Sequence, residues 1–297
     1  MNFTDPIEKI KKVLLRNFNN GYSITINEKG IPVTFYDKYT SLSNLIKGKK
    51  LGEQKSIVAI AEKGLDYWQQ FKENNDVFVS YEWEKHSSQV GKSQSKDFFL
   101  NCTEWIYNNA TSYENYVLWH YEYPSYYNTK AGWISSHAQG QCIRLLIKAY
   151  KLTNETKYKK MAELARNSFY IPLPDGGFTD KNVEKGWWYN KFASDDCDDP
   201  KVLNGMIFAV LGLYSYNKEF EDDKSSELIN KGISALKNSL HLYDAGDWSY
   251  YDRLGKKASQ KYHDIHIRQL NKLYDFTGDL IFKDYSKRFQ FYKKSSK

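Results

Sequence analysis

A short pattern repeated within the chain limits its fold more than any other feature. The segment Ala149–Lys160 (AYKLTNETKYKK) is echoed by Leu273–Asp284 (LYDFTGDLIFKD), and a looser third version runs from Leu213 to Phe220. Each full copy ends a helix on an aromatic residue, turns on Thr-Asn or Thr-Gly, and opens a new helix beside an acidic residue. Asn and Gly tolerate the left-handed backbone that ends a helix, and acidic groups favour a helix start. The following helices keep one apolar face: Tyr158, Met161, Ala162, Ala165 and Phe169 in one copy, Phe282, Tyr285 and Phe289 in the other. A helical hairpin of this kind leaves its apolar stripe wet unless it stacks on another. Further helices are expected at about 201–216, 225–240 and 259–276. The fold class expected is all-α: an (α/α) barrel or toroid of helical hairpins, with an α-solenoid as the alternative closure.

The remaining chain is read in the same way. Residues 7–18 alternate charged and aliphatic groups as an amphipathic helix does. Tyr22–Ile26 reads as extended, ended by Gly30-Ile31-Pro32. From Glu53 the period turns helical, with Ile57, Ala61, Leu65 and Trp68 on one face. Glu84–Lys96 reads as a polar surface loop and Asp97–Asn109 as a second helix. The tyrosine-rich passage Tyr113–Trp133 has little periodicity, and long aromatic loops tend to carry function. With no linker, residues 1–297 are expected to form a single domain. Residues 1–110 would supply N-terminal helices and a few short strands to the same barrel.

Composition narrows the partner. Aromatics make up 16% of the chain and tyrosine fills 25 positions, which suits stacking on sugar rings. A coding bias toward Tyr, Phe, Lys and Asn explains that count equally well. The net charge of +7 suits an anionic ligand. The basic clusters at 47–50 and 293–297 are short and lack interleaved aromatics, so nucleic acid is disfavoured and an acidic polysaccharide stays open. Cys102, Cys142 and Cys197 lie too far apart for a disulfide framework or a metal knuckle and read as small buried hydrophobes. No run approaches the roughly 18 apolar residues of a membrane span, and no leader-like apolar stretch opens the chain. The expectation is a cytoplasmic protein without a membrane span.

Four segments then resemble the C-terminal domain of the D-glucuronyl C5-epimerase family, in that family's order. They are GWISSHAQGQCIRLLIKAYKLT (Gly132–Thr153), KVLNGMIFAVLGLY (Lys201–Tyr214), LYDAGDWSYYD (Leu242–Asp252) and YHDIHIRQLNKLYDFTGD (Tyr262–Asp279). The likeness covers about 121–297. It implies an (α/α) barrel with a substrate cleft at one end. It also implies inversion at C5 of D-glucuronic acid units in a polymer, with no cofactor. The partner implied is an acidic polysaccharide or oligosaccharide, and a homodimer is compatible with it. Taking the proton beside a carboxylate leaves an enediolate-like anion, which needs donors in place and acid–base groups on both ring faces. A tyrosine base needs a cationic neighbour, because its ordinary pKa is about 10.

The resemblance carries Tyr251 and Tyr262 across as catalytic phenols, with Tyr250 as the neighbouring alternative. It carries Asn204 across as a substrate contact. Arg253 stands one position before the family's arginine, where this chain has Leu254. The family's Trp-Tyr-Glu-Glu-Tyr stretch reads Trp188-Tyr189-Asn190-Lys191-Phe192 here. Lys191 and Phe192 therefore replace an acid and a phenol, which leaves Tyr189 or Asp195 to fill the gap. His266, Gln139 and Trp133 complete the substrate-binding candidates, and His137 is weighed evenly between binding and helix-start roles. His263, Asp264 and His266 do not have a metal-ligand spacing by themselves, so no metal is expected. Asp195, Asp196, Asp198 and Asp199 read as a solvated loop, with calcium as the minority reading. Three other functions stay open: a uronate lyase, an inverting glycosidase using Asp252 with one of Asp195–Asp199, and a non-catalytic glycan binder.

Overall fold

The computed structural model describes residues 16–18, 22–36, 51–74, 78–79 and 90–295. Four short strands come first: β1 (Arg16–Phe18), β2 (Tyr22–Ile26), β3 (Pro32–Tyr36) and β4 (Gly52–Gln54), joined in that order as an antiparallel sheet. The helix read from 7–18 lies mostly outside the described residues, and its last three residues are strand. Pro32 opens β3 instead of ending extended structure, since a first strand position needs no N–H from proline.

Eight α-helices follow among the described residues: α1 (Ile57–Lys72), α2 (Lys92–Asn108), α3 (Ser136–Thr153), α4 (Thr156–Asn167), α5 (Leu203–Phe220), α6 (Asp223–Ser239), α7 (Gln260–Thr277) and α8 (Leu280–Ser295). α2 takes in Lys92–Lys96, part of the stretch expected to be a surface loop. Strands are not confined to the N-terminal part. β5 (Thr111–Ser112) pairs with β6 (Val117–Leu118), and β7 (Thr179–Val183) with β8 (Gly186–Tyr189).

The repeat marks the hairpin corners. α3 ends on Asn154 and α7 on Gly278, both left-handed at φ 59° and 73°, and Glu221 closes α5 in the same way at φ 47°. Each corner then restarts a helix within a few residues, and Asp222 caps α6 by accepting from Ser225 N. Sequential pairs α1–α2, α3–α4, α5–α6 and α7–α8 pack together, while α3 lies between α1 and α5, and α5 meets α7. α3 and α5 are buried along most of their length, whereas α2, α4, α6 and α8 bury one stripe. An all-round buried helix belongs inside. The hairpins therefore form an α/α toroid with the odd-numbered helices innermost. Among the described residues, one hydrophobic cluster runs from Ile31 to Phe289. The innermost crossing is tight: a Cβ at Gly212 would lie 2.4 Å from the Cα of Gly140.

Candidate active site

The loop between α6 and α7 is built around a buried carboxylate. Asp252, with no exposed surface, accepts from Leu254 N at 3.0 Å and Lys256 N at 3.1 Å through Oδ1. Its Oδ2 accepts the hydroxyl of Tyr127 at 2.6 Å. Tyr251 N donates to Lys256 O at 2.6 Å, and Leu203 N at the start of α5 donates to Tyr251 O at 3.2 Å. The Tyr251 backbone is thus held from both sides. Tyr262 sits in the first turn of α7, where Ser259 caps the helix by accepting from Tyr262 N. The two rings pack at a centroid separation of 4.7 Å and an interplanar angle of 58°. The two phenols are therefore neighbours, one from a loop and one from a helix start.

Lys191 joins them. It follows β8 on a segment tied to α3, where Ser136 N donates to Asn190 O at 3.1 Å and Ser136 Oγ to Tyr189 O at 2.9 Å. Its Nζ donates to the Tyr251 hydroxyl at 2.8 Å and lies 5.2, 5.5 and 5.5 Å from the ring centres of Tyr251, Tyr262 and Phe192. Its stem crosses α5 at Gly205, where an added Cβ would fall 2.4 Å from Lys191 Cβ. The glycine of the Asn204-Gly205 pair therefore makes room for the lysine. Lys256 lies 5.7 Å from the Tyr251 and Tyr126 rings, and Lys261 lies 5.8 Å from the Tyr262 ring.

Electrostatics follow burial. Desolvation brings Lys191 down to about 7; Glu62 opposes the shift, and Lys261 and Lys256 add to it. Burial pushes Tyr262 up to about 12, with Tyr126 and Glu62 adding to the rise. Tyr251 goes well above its ordinary value, first by burial and then by Tyr262, Tyr127, Tyr126 and Asp252. Both phenols are therefore protonated at neutral pH.

The inner helices add further polar groups. Glu62 of α1 faces His137 of α3 at 3.2 Å and accepts from Gln141 Nε2 at 2.7 Å. Burial lowers the His137 pKa, which leaves the ring neutral, and the ring stacks on Phe208 at 4.4 Å. Asn204 of α5 is fully buried, and neither polar atom of its side chain has a partner among the described residues. The same holds for His266 Nε2 and His137 Nδ1. His266 shares Ser249 Oγ with His263, at 2.9 and 2.8 Å, and burial holds its pKa down at about 3.

Several residues singled out from the sequence lie elsewhere or are fully occupied. Tyr189 is buried and donates its hydroxyl to Leu228 O at 2.7 Å, so it does not join the phenol pair. Arg253 pairs with Glu184 at 3.3 Å. Gln139 donates to the carbonyl of Val117 at 2.7 Å, which holds the start of α3 to β6. Trp133 donates to Tyr123 O at 2.7 Å, stacks on Tyr121 at 3.8 Å and leans on Phe192 at 5.3 Å. Tyr250 is half-buried and its backbone bridges to Lys257. His263 bonds Phe289 O at 2.9 Å and stacks on Trp248, while Asp264 pairs with Lys293 at 2.6 Å. Asp195 is exposed, and Asp196, Asp198 and Asp199 bind Lys130, Asn128 and Lys201. No cluster of metal-ligating side chains occurs among the described residues. The cysteines are free, and burial raises each thiol's pKa, Cys102 to about 12 and Cys197 to about 11. In the sequence, Lys191 stands out only as a departure from the family pattern, Tyr126 and Tyr127 only as part of the aromatic passage 113–133, and Glu62 not at all.

The architecture and this centre define an α/α-toroid protein with a phenol–lysine cluster beside its inner helices. Solved structures share the fold at low sequence identity. A GH76 α-mannanase of Bacteroides thetaiotaomicron aligns with a TM-score of 0.51 at 16% identity, covering 82% of this chain and 62% of that one. A D-mannose isomerase gives 0.50 at 15%, covering 84% and 62%. A sugar epimerase from a ruminal bacterium gives 0.50 at 13%, covering 96% and 70%.

Sequence comparison is more specific. Residues 97–291 match the family described as D-glucuronyl C5-epimerase C-terminus, and the chain belongs to that family. The match starts ahead of the 121 boundary read from the motifs and takes in α2 from Asp97 onward. An uncharacterized protein of Methanocaldococcus jannaschii is 28% identical over 290 residues, covering 93% of this chain and 88% of that protein. The D-glucuronyl C5-epimerase of Caenorhabditis elegans is 32% identical over 158 residues, which is 46% of this chain and only 25% of the worm protein. No helix among the described residues is long and apolar enough to cross a membrane.

Proposed function

We propose that this protein exchanges the C5 proton of a uronic acid unit in a saccharide and inverts that carbon, as a C5-epimerase does. The observation that carries the reading is the Tyr251–Tyr262 pair bordered by Lys191, Lys256 and Lys261. A sugar acid brings a carboxylate that Lys256 and Lys261 attract, and the anion formed at C5 spreads onto that carboxylate. The unpartnered amide of Asn204 and Nε2 of His266 support a ligand rich in hydroxyl groups. Sugar rings also suit the half-buried ring of Tyr126, which packs on Phe192.

Inversion needs a proton group on each face of the sugar. Tyr251 and Tyr262 pack ring to ring and leave no room for a sugar between them, so they serve one face. Tyr126, which shares Lys256 with Tyr251 at 5.7 Å from each ring, is the phenol we assign to the other. The test is NMR of a glucuronate-containing polymer, such as a heparosan-type chain, incubated with the protein in heavy water. The reading expects deuterium at C5 with iduronate signals and an uncut chain. Tyr126→Phe should keep exchange and lose inversion. Cleavage with growing unsaturated-uronate absorbance would make the protein a lyase, and absence of exchange on any uronate would leave a binding role.

A further inference from the structure

Both phenols of the pair are protonated at neutral pH, and a protonated phenol cannot take a proton from carbon unless its own proton has somewhere to go. We propose that Lys191 is that destination: its amine, 2.8 Å from the Tyr251 hydroxyl and walled by Phe192 and Tyr262, receives the phenol proton as Tyr251 receives the proton of the substrate carbon. This rests on the proton-exchange reading above, but it assigns the base to a residue standing where the family pattern has an acid.

The surroundings favour a neutral amine. Among the described residues no carboxylate forms an ion pair with Lys191, and a cation left uncompensated in a partly buried site is costly. The charged and titratable groups around it come from every neighbouring element: Glu62 of α1, His137 of α3, Tyr251 and Lys256 of the α6–α7 loop, and Lys261, Tyr262 and His266 of α7. α5 presents Gly205 to it, which carries no charge. Glu62 alone favours the ammonium, and it is shared with His137 and Gln141. Lys256 and Lys261 oppose it, in keeping with the value of about 7.

The step balances. The C5–H bond breaks, its electron pair stays on C5 and spreads onto the carboxylate, and the proton goes to the Tyr251 oxygen. The former Tyr251 proton goes to Lys191 Nζ, which becomes an ammonium. The opposite-face donor returns a proton to C5, and solvent then takes one proton from Lys191 and gives one to that donor.

Two measurements test this. In the first, the wild-type protein is treated with cyanate at pH 7 and its lysines are mapped by peptide mass spectrometry. A half-neutral amine should carbamylate on the order of 10²-fold faster than ordinary surface lysines, whose pKa is about 10.4. Preferential labelling supports the proposal even if no uronate polymer is turned over, so it survives a failure of the epimerase reading. Labelling at the general lysine rate overturns it. In the second, Lys191→Arg puts a permanent cation there that cannot become neutral, and exchange should fall by on the order of 10²-fold or more. Lys191→Cys, made in a Cys197→Ser background and alkylated to the less basic aminoethyl-cysteine, should restore exchange with its acid limb at lower pH than wild type. Lys191→Arg activity within about threefold of wild type, or an acid limb that does not move, would overturn the proposal.

Discussion

Gly205→Ala is the perturbation whose outcome the structure fixes most closely. The new methyl would sit 2.4 Å from Lys191 Cβ and 2.7 Å from its Cγ and Cδ, where carbon atoms normally stay about 3.5–4.0 Å apart. Relief requires the lysine stem to move by about 1 Å, because the offending atom is next to the backbone. Overpacking of this size costs about 1–3 kcal/mol, and the exchange of glycine for alanine in α5 returns up to about 1 kcal/mol. The net loss of stability should be about 1–2 kcal/mol, read as a lower urea midpoint with an unchanged slope. The functional cost should be larger, since a displacement of about 1 Å in a reacting group can cost on the order of 10²-fold. C5 exchange is the assay, run well below the unfolding midpoint. Exchange within about threefold of wild type, with Gly205→Ala properly folded, would mean that Lys191's place over α5 has no bearing on the chemistry.

Other substitutions separate structure from function. Tyr189→Phe removes the second donor of the Leu228 carbonyl, which keeps its bond within α6, so it should cost about 0.5–1.5 kcal/mol in urea unfolding and leave the exchange rate unchanged. Arg253→Gln removes a half-exposed pair with Glu184, and both stability and KM should stay close to wild type, within about 1 kcal/mol and its equivalent. A large rise in KM would put the arginine back on the substrate. Between pH 6 and 8, exchange should rise with pH, because Lys191 loses its proton near 7 and only the neutral amine accepts one. An exchange rate that falls over that range would refute this assignment of charge.

The toroid was legible because its corners are local. Asn154, Glu155, Gly278 and Asp279 state a helix end and a helix start in adjacent residues, and the structure turns at each. The phenol pair was legible only through family likeness, since nothing in the spacing of Tyr251 and Tyr262 requires their rings to touch. Lys191 was visible as a substitution but not as a partner. Its role depends on Gly205 and Tyr251, which meet it only after β8, α5 and the α6–α7 loop are assembled. Glu62 lies ahead of the matched stretch 97–291, on a helix whose period marks it as core. Tyr189 misled for the converse reason: a motif position says nothing about which way a side chain faces, and β8 turns this one inward.

As proposed, the Tyr251–Tyr262–Lys191 cluster moves a proton at the carbon beside a sugar carboxylate. The most direct measurement is the rate of deuterium loss from a polymer labelled at C5 of its glucuronate units, compared between wild type and Tyr251→Phe. The account predicts steady wash-out by wild type and a fall of at least about 10²-fold in the variant, with polymer binding retained. Equal wash-out by both proteins would contradict it.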